Sequence, residues 1–211
     1  MPRTVKSAEE RRLEIIQTSE RLFQKTGYAS TSVDAIIKEM GVAKGTFYYY
    51  FKSKEEVLEA IVEHTLDQIV VMAEQVADDP SLDALSKMRM LLSNSHIGDE
   101  DMEDVVELLH APGNRELHEL NNIQTVLRLS PIFAKIVEQG NQENVFNVDR
   151  PLATMQFLLT GSQFLLDGGL FTFGKDEHLE RLLVTQEIVE KALGAQSGTF
   201  AFMTKEMLID E

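Results

Sequence analysis

The residues whose side chains are best suited to bind a ligand lie between positions 44 and 50, in the sequence KGTFYYY. A lysine amine, a threonine hydroxyl and three tyrosine phenols can bind phosphate oxygens, sugars or base edges. Gly45 has no side chain, so the free N–H groups at the start of a helix here can approach a phosphate closely. The chemistry that this segment indicates is binding to a polyanion.

Helical geometry predicts which of these side chains point outward. At about 100° per residue, Phe47 and Phe51 lie on one face, which we expect to pack on Leu22, Phe23 and Ile36. The opposite face carries Gly45, Thr46, Tyr48 and Tyr49. We expect Tyr48 and Tyr49 to face a DNA groove, the alternative being contact with the rest of the protein or a partner subunit. For Tyr50 both alternatives stay open.

Two helices are expected before this segment, and a turn containing glycine separates the second helix from it. Ser7 with Glu10 forms a capping box that predicts the first helix start, and Gly27 is expected to end that helix. Thr31 with Asp34 forms a second box, which opens a short helix ending at Gly41. A short helix, a turn and another short helix make a helix-turn-helix, whose second helix enters the major groove of DNA.

Helical periodicity continues through the rest of the chain and predicts an all-α fold. Ser53 with Glu56 forms a third capping box and begins a long helix that stops at Asp78-Asp79-Pro80. Further helices are expected at 82–94, 99–110, 115–139, 151–171 and 176–193. Pro131 is expected to kink or divide one of them, and the tail after Gly194 stays unassigned. We predict a helix-turn-helix domain at 1–54 and a helical effector-binding and dimerisation domain at 55–211.

The stretch from 15 to 61 resembles the N-terminal domain of TetR-family regulators almost position by position. Residues at the family's characteristic places include Phe23, Gly27, Tyr28, Thr31, Ser32, Ile36, Gly41, Val42, Lys44, Gly45, Thr46, Tyr48, Phe51, Lys54 and Glu55. The resemblance implies base or nearby backbone contacts from Lys44, Thr46 and Tyr48, and phosphate contacts from Thr31, Ser32, Tyr49, Tyr50 and Lys54. With Ala43 and Gly45 at the helix start, these ten residues are the predicted DNA-binding set.

The distribution of charge differs between the predicted helix-turn-helix domain at 1–54, called the head below, and the remaining domain at 55–211, called the body. The whole chain carries a formal net charge of −15, which by itself disfavours a nucleic-acid partner. Residues 1–55, however, hold ten Lys or Arg against seven acids, a net charge of +3, so the remainder carries −18. Because salt screens charges beyond about 8 Å, the head can act nearly alone.

The body has the composition expected of a dimer interface and an apolar pocket. Gly161, Ser162, Gly168 and Gly169 permit close helix approach in a segment that is apolar on more than one face. The resemblance implies a homodimer through the two C-terminal helices, the alternative being a monomer core. It also implies a small-molecule effector, which we expect to be apolar and to shift the long helix after Ser53. Candidate pocket residues, chosen as apolar positions on the surrounding helices, are Leu66, Met88, Leu92, Leu109, Leu127, Phe133, Phe157 and Phe164.

The sequence gives little support for a metal site, a cofactor site or a catalytic site. There are no cysteines, and the histidines at 64, 96, 110, 118 and 178 lack the spacing of a metal site, so neither a metal nor a cofactor is expected. The acidic run at 98–104 lacks the alternating ligands of a calcium loop. No nucleotide-binding or hydrolase motif occurs. No segment resembles a signal peptide or membrane span, so a cytoplasmic protein is expected.

We therefore predict a transcriptional regulator, not an enzyme, that binds a palindromic operator as a dimer and is released by a small molecule. Repression is the family's commoner outcome, and an activator of the same fold is the alternative. Two other classes stay open. A helical small-molecule-binding protein or enzyme predicts a titratable pair in the body pocket, whereas a protein-binding adaptor predicts binding that salt does not weaken.

Overall fold

The computed structural model describes residues 6–93, 115–167, 170–171 and 173–205, and every regular element in these ranges is a helix, as predicted. The predicted helix at 99–110, the candidate Leu109 and the acidic run lie outside the described residues. The described helices are α1 (Ala8–Thr26), α2 (Val33–Met40), α3 (Lys44–Tyr50), α4 (Lys54–Asp78), α5 (Ala84–Leu92), α6 (Arg115–Gln142), α7 (Pro151–Leu165), α8 (Lys175–Leu193) and α9 (Phe202–Lys205).

The first helix begins and ends as its sequence signals predict. The Glu10 amide donates to Ser7 Oγ over 3.1 Å, and the Ser7 amide donates to the Glu10 carboxylate over 2.6 Å, which completes the capping box. Gly27 terminates α1 with a φ of 80°, and its amide donates to the Phe23 carbonyl.

The second helix starts one residue later than the capping prediction. Ser32, not Thr31, is the N-cap, because its Oγ accepts the Ala35 amide hydrogen over 3.1 Å. Thr31 is buried, and its hydroxyl donates to the Gly27 carbonyl over 2.8 Å, so it stabilises the turn between α1 and α2. Gly41 closes α2 in the left-handed conformation, as expected.

The core of the head includes the first half of α4. Phe47 and Phe51 are buried with Phe23 and Ile36, as helical geometry predicts. Val57, Leu58, Ala60, Ile61 and Val62 of α4 complete the same cluster. The packed unit thus extends past Lys54, and α4 runs from it into the body as one continuous helix of 25 residues.

The body is organised around α6, which packs against α4, α5 and α7. Its core includes Met88 of α5, Ile136 and Val137 of α6, and Met155 of α7. Pro131 does not divide α6, which runs unbroken from Arg115 to Gln142. The proline is exposed, and the preceding Ser130 hydroxyl donates to the Val126 carbonyl.

The C-terminal part departs from the sequence prediction at two places. The helix predicted for 151–171 ends at Leu165, because Asp167 starts a turn in which its carboxylate and carbonyl accept the Leu170 amide. The unassigned tail folds back on α8. Phe200 is fully buried there, and its amide donates to the buried Glu190 carboxylate over 2.9 Å.

Among the helices that the structure describes, none combines the length and apolar character needed to cross a membrane.

Candidate nucleic-acid interface and body cavity

Helix α3 exposes two aromatic side chains on one face, while its opposite face is buried in the core. Phe47 is fully buried, whereas Tyr48 and Tyr49 are 45% and 79% exposed. The Tyr48 ring packs edge-on against Phe47, with ring centroids 5.5 Å apart. Tyr50 is half-buried and contacts the head core, with the Tyr49 ring edge-on at 4.9 Å. The surface of α3 therefore offers two phenols on a helix that cannot easily rotate.

Lys44 lies at the start of α3 and is paired across to α2. Its Nζ is 3.1 Å from Asp34 Oδ1, and both side chains are mostly exposed. The hydrogen bond to Asp34, with the charge of that carboxylate, raises the pKa of Lys44. Its Nζ also lies 5.9 Å from the centre of the Tyr48 ring. The amine is charged and exposed, and it already has an acidic partner.

The remaining predicted contacts of α3 differ in how accessible they are. Ala43 and Gly45 are exposed, and Thr46 is half-buried. An added Cβ at Gly45 meets nothing within 4 Å, so a large ligand has room at the start of the helix. Ser32 is exposed beside α3, while the buried Thr31 directs its hydroxyl inward.

Lys54 is used inside the head. Its Nζ donates to the Tyr28 carbonyl over 2.7 Å and lies 4.1 Å from the centre of the Tyr28 ring. The lysine thereby ties the start of α4 to the turn after α1. Burial, with the Glu55 carboxylate nearby, raises the pKa of Tyr28 to about 12.

The body contains a half-open cavity of about 380 Å³ between α6 and α7. Leu127 and Phe164, two of the predicted pocket residues, line it. The whole set of described lining residues is Arg115, His118, Glu119, Asn122, Ile123, Val126, Leu127, Thr160, Gln163, Phe164 and Leu170.

The other predicted pocket residues that the structure describes lie elsewhere. Met88 and Phe133 are buried in the core of the body, and Leu92 packs against that core. Leu66 is buried on α4, and Phe157 is 76% exposed on α7 outside the cavity. An apolar residue in the sequence can lie in the core, on the surface or in a cavity wall. The way in which α6 lies against α7 determines which apolar residues line the cavity.

A row of polar side chains in the cavity wall was not predicted. His118 Nε2 lies 3.0 Å from Asp167 Oδ2 and 3.2 Å from Asn122 Nδ2. Gln163 Nε2 in turn donates to Asn122 Oδ1 over 2.6 Å. The spacing of His118 and Asn122, four residues apart on one helix, is a signal that could have placed both on one face.

The first turn of α6 contacts both the cavity and the head. Leu117 packs against the head core, while the adjacent His118 lines the cavity. Further along α6, Arg128 pairs with Asp67 of α4 over 2.7 Å, next to the cavity residue Leu127. The cavity wall is thus joined to the head through α6 as well as through α4.

The outer faces of α7 and α8 expose several large apolar side chains. Phe157 is the most exposed at 76%. The others include Leu152 of α7 and Leu183, Val184 and Ile188 of α8. Exposed apolar side chains on adjacent helices are typical of a surface that another protein covers.

Sequence comparison finds two family patterns in the chain. The pattern described as bacterial regulatory proteins of the tetR family matches residues 15–61, and the one described as tetracyclin repressor-like, C-terminal domain, matches residues 98–188. Together they cover the head and much of the body.

Individual proteins show the same relationship. An uncharacterised HTH-type regulator of Bacillus subtilis, YerO, is 38% identical over 37% of this chain and 28% of its own length. The regulator TtgR of Pseudomonas putida is 30% identical over 51% of this chain and 53% of its own. The chain thus spans about half or less of these relatives' lengths.

A TetR/AcrR-family regulator from Thermobifida fusca has a similar solved structure, with a TM-score of 0.55 and 25% identity. The alignment covers 87% of this chain and 97% of that one.

Proposed function

Because the chain belongs to the TetR family of bacterial regulatory proteins, we propose that it is a dimeric DNA-binding regulator controlled by a small molecule. The observation that carries this proposal is the geometry of α3, which buries Phe47 completely while Lys44, Tyr48 and Tyr49 stay exposed. A short helix fixed in this way can enter a major groove as a rigid unit. Thr46 and Tyr48 lie on the groove side, and Ser32 and Tyr49 flank it toward the phosphates.

The proposed DNA site is an inverted repeat. One α3 helix reads too few base pairs for specificity, so two subunits related by two-fold symmetry read two half-sites about 34–36 Å apart or more. The exposed apolar faces of α7 and α8 support their role as the dimer interface. In the cytoplasm, where the chromosome lies, a dimer bound across a promoter acts as a repressor.

The proposed control operates by coupling between cavity and head. A ligand in the cavity shifts α6 and α4, which both contact the head core, and thereby changes the distance between the two α3 helices. Linkage requires that operator DNA weaken ligand binding by the same factor by which the ligand weakens DNA binding. Equal ligand affinity with and without operator would rule this control out.

Selection of bound fragments from random DNA tests the main proposal. We expect an inverted repeat, bound with an affinity that falls steeply as salt rises. Lys44→Ala and Tyr48→Ala should each weaken this binding, by roughly 5- to 100-fold for a lost base or phosphate contact. Lys135→Ala is the matched control, because Lys135 is also an exposed lysine paired with an acid, Asp78, but lies on α6 in the body. No enriched sequence, or equal effects of Lys44→Ala and Lys135→Ala, would contradict the proposal.

Reporter transcription distinguishes repression from activation. With the selected operator placed across a promoter, we expect the protein to lower transcription and a ligand of the cavity to restore it. Raised transcription would identify an activator of the same fold.

A further inference from the structure

The cavity between α6 and α7 combines an apolar wall with two neighbouring amides. Ile123, Val126, Leu127, Phe164 and Leu170 supply the apolar surface, and Asn122 and Gln163 supply the amides. The Phe164 ring meets Phe171 edge-on, with centroids 5.7 Å apart, and is itself 58% exposed. An aromatic ligand can therefore pack against it.

The hydrogen bonds around His118 determine what the amides can offer a ligand. His118 Nε2 lies close to both Asp167 Oδ2 and Asn122 Nδ2, but a ring nitrogen carries either a hydrogen or a lone pair. Beside a buried carboxylate it must carry the hydrogen, which it donates to Asp167. In the given orientation of the Asn122 amide, the hydrogen that faces this nitrogen then needs another acceptor.

The second amide complements the first. Gln163 Nε2 donates to Asn122 Oδ1, and within the described part of the chain no donor reaches Gln163 Oε1. In this orientation the cavity wall presents a donor, Asn122 Nδ2, and an acceptor, Gln163 Oε1; with both amides turned over it presents the donor Gln163 Nε2. In either orientation the amides keep a hydrogen-bonding group for the polar end of a ligand.

The charged groups of the described wall lie at its exposed end. Arg115 and Glu119, of opposite sign, are exposed and lie one helical turn apart on α6. His118, which also lines the cavity, meets the buried Asp167 carboxylate behind it. Ile123, Val126, Leu127, Phe164 and Leu170 offer a ligand charge no partner, and burial of an unpaired charge is costly.

Building on the proposed function, we propose that the cavity selects an uncharged aromatic ligand whose polar end bonds to Asn122 and Gln163. Apolar contact with Leu127 and Phe164 supplies most of the affinity, and the amides select the polar end. This names the chemical class of the effector.

Two fluorescent probes with the same rings test the charge selection. N-phenyl-1-naphthylamine is uncharged and has one N–H donor, and 8-anilinonaphthalene-1-sulfonate adds a sulfonate. We expect the uncharged probe to bind at least about 10-fold more tightly to the intact protein, since a sulfonate held among the apolar wall residues loses its hydration without gaining a charged partner there. Equal or tighter binding of the sulfonate would overturn the proposal.

A single tryptophan reports where the probe binds. The chain contains no tryptophan, so Phe164→Trp introduces one indole in the cavity wall. Energy transfer from this indole to the uncharged probe is expected, whereas Tyr49→Trp, with its indole on α3, should show little. Strong transfer from the α3 position with none from the cavity would overturn the assignment.

The role of the amides is tested by Gln163→Leu, with Gln163→Met as a second variant that keeps the side chain's length. Loss of one hydrogen bond should weaken the uncharged probe about 3- to 10-fold. Gln124→Leu is the matched control, because Gln124 is exposed on α6 away from the cavity. Unchanged or tighter probe binding by a folded Gln163 variant would overturn the proposal. Probe binding needs no DNA, so its failure and failure of operator selection are separate results.

Discussion

At the residue scale, Lys44 of the proposed recognition helix α3 already has an anionic partner that would compete with DNA. Asp34 holds the Lys44 amine at 3.1 Å, and this contact raises the pKa of an amine that is charged in any case at neutral pH. A phosphate or base edge that binds Lys44 must first replace the carboxylate. The exposed pair therefore weakens DNA binding relative to a head with a free lysine.

Replacement of Asp34 by asparagine should strengthen DNA binding a few-fold, because it frees Lys44 and removes a negative charge near the DNA. Operator titrations at constant salt measure the change. Glu39→Gln on the same helix is the control, since Glu39 is an exposed acid too. An equal gain from both variants would mean that only net charge matters.

The phenol of Tyr28 should make stability fall at high pH. In the unfolded chain this group ionises near pH 10, whereas burial raises the pKa of Tyr28 to about 12 in the folded protein. Between these values the unfolded state loses the proton first, so the free energy of unfolding decreases as pH rises from 10 to 12. Urea denaturation should show a steeper decrease for the native chain than for Tyr28→Phe. Identical slopes would contradict this assignment.

The exposed face of α3 was easier to predict than the cavity. A seven-residue helix with Phe47 and Phe51 on one face has little choice of orientation, so Tyr48 and Tyr49 were correctly expected to be exposed. The N-cap was wrong by one position, because Thr31 and Ser32 both suit that role and only tertiary hydrogen bonds distinguish them. The cavity depends on how α6 lies against α7, which local periodicity does not encode.

At the scale of elements, α6 contacts both the cavity and the head directly. Its first turn places Leu117 against the head core and His118 in the cavity wall. A displacement of this turn by a ligand therefore reaches the head without passing along α4.

Leu117→Ala should reduce the effect of a ligand on DNA binding several-fold. The same substitution should change the affinity for the ligand itself only slightly. The measurement compares operator affinity with and without a ligand identified by operator release. Leu120→Ala is a matched control, because Leu120 is 53% exposed on the same helix. If the ligand still changes operator affinity by the full factor in the Leu117 variant, the ligand acts on the head through α4.

The C-terminal tail is an element that the sequence pattern missed, because it is mostly turn and one short helix. Phe200→Ala should destabilise the protein by about 3–5 kcal/mol, as expected for a large buried aromatic side chain. Phe202→Ala, at a half-buried position over Arg89, should cost less. Urea denaturation of both variants measures the difference, and equal losses would mean that the tail is not anchored by Phe200.

At the scale of the whole molecule, the exposed apolar faces of α7 and α8 leave the described chain incomplete as a monomer. Phe157→Glu should convert a dimer into a monomer, because a carboxylate in an apolar interface lacks a partner. Light scattering measures the change from two-chain to one-chain mass. Val71→Glu, at a 52% exposed apolar position on α4, is the control and should stay dimeric. A dimer that survives Phe157→Glu would place the interface elsewhere.

The head and the body carry net charges of opposite sign. The first 55 residues carry +3 and the rest −18, so the body repels a polyanion that the head attracts. Under the proposed function, this division steers DNA to the face that carries α3, although the protein as a whole is acidic.

The ion pair between Lys44 and Asp34 also bears on how such a protein searches a chromosome. Because the pair opposes contact with every phosphate regardless of sequence, it shortens the time spent on each wrong site. At an operator, the base contacts proposed for the same helix would compensate for the lost pair. A weak local inhibitor thus favours fast turnover among the many competing sites of a genome, where the ratio of specific to nonspecific binding matters more than affinity alone.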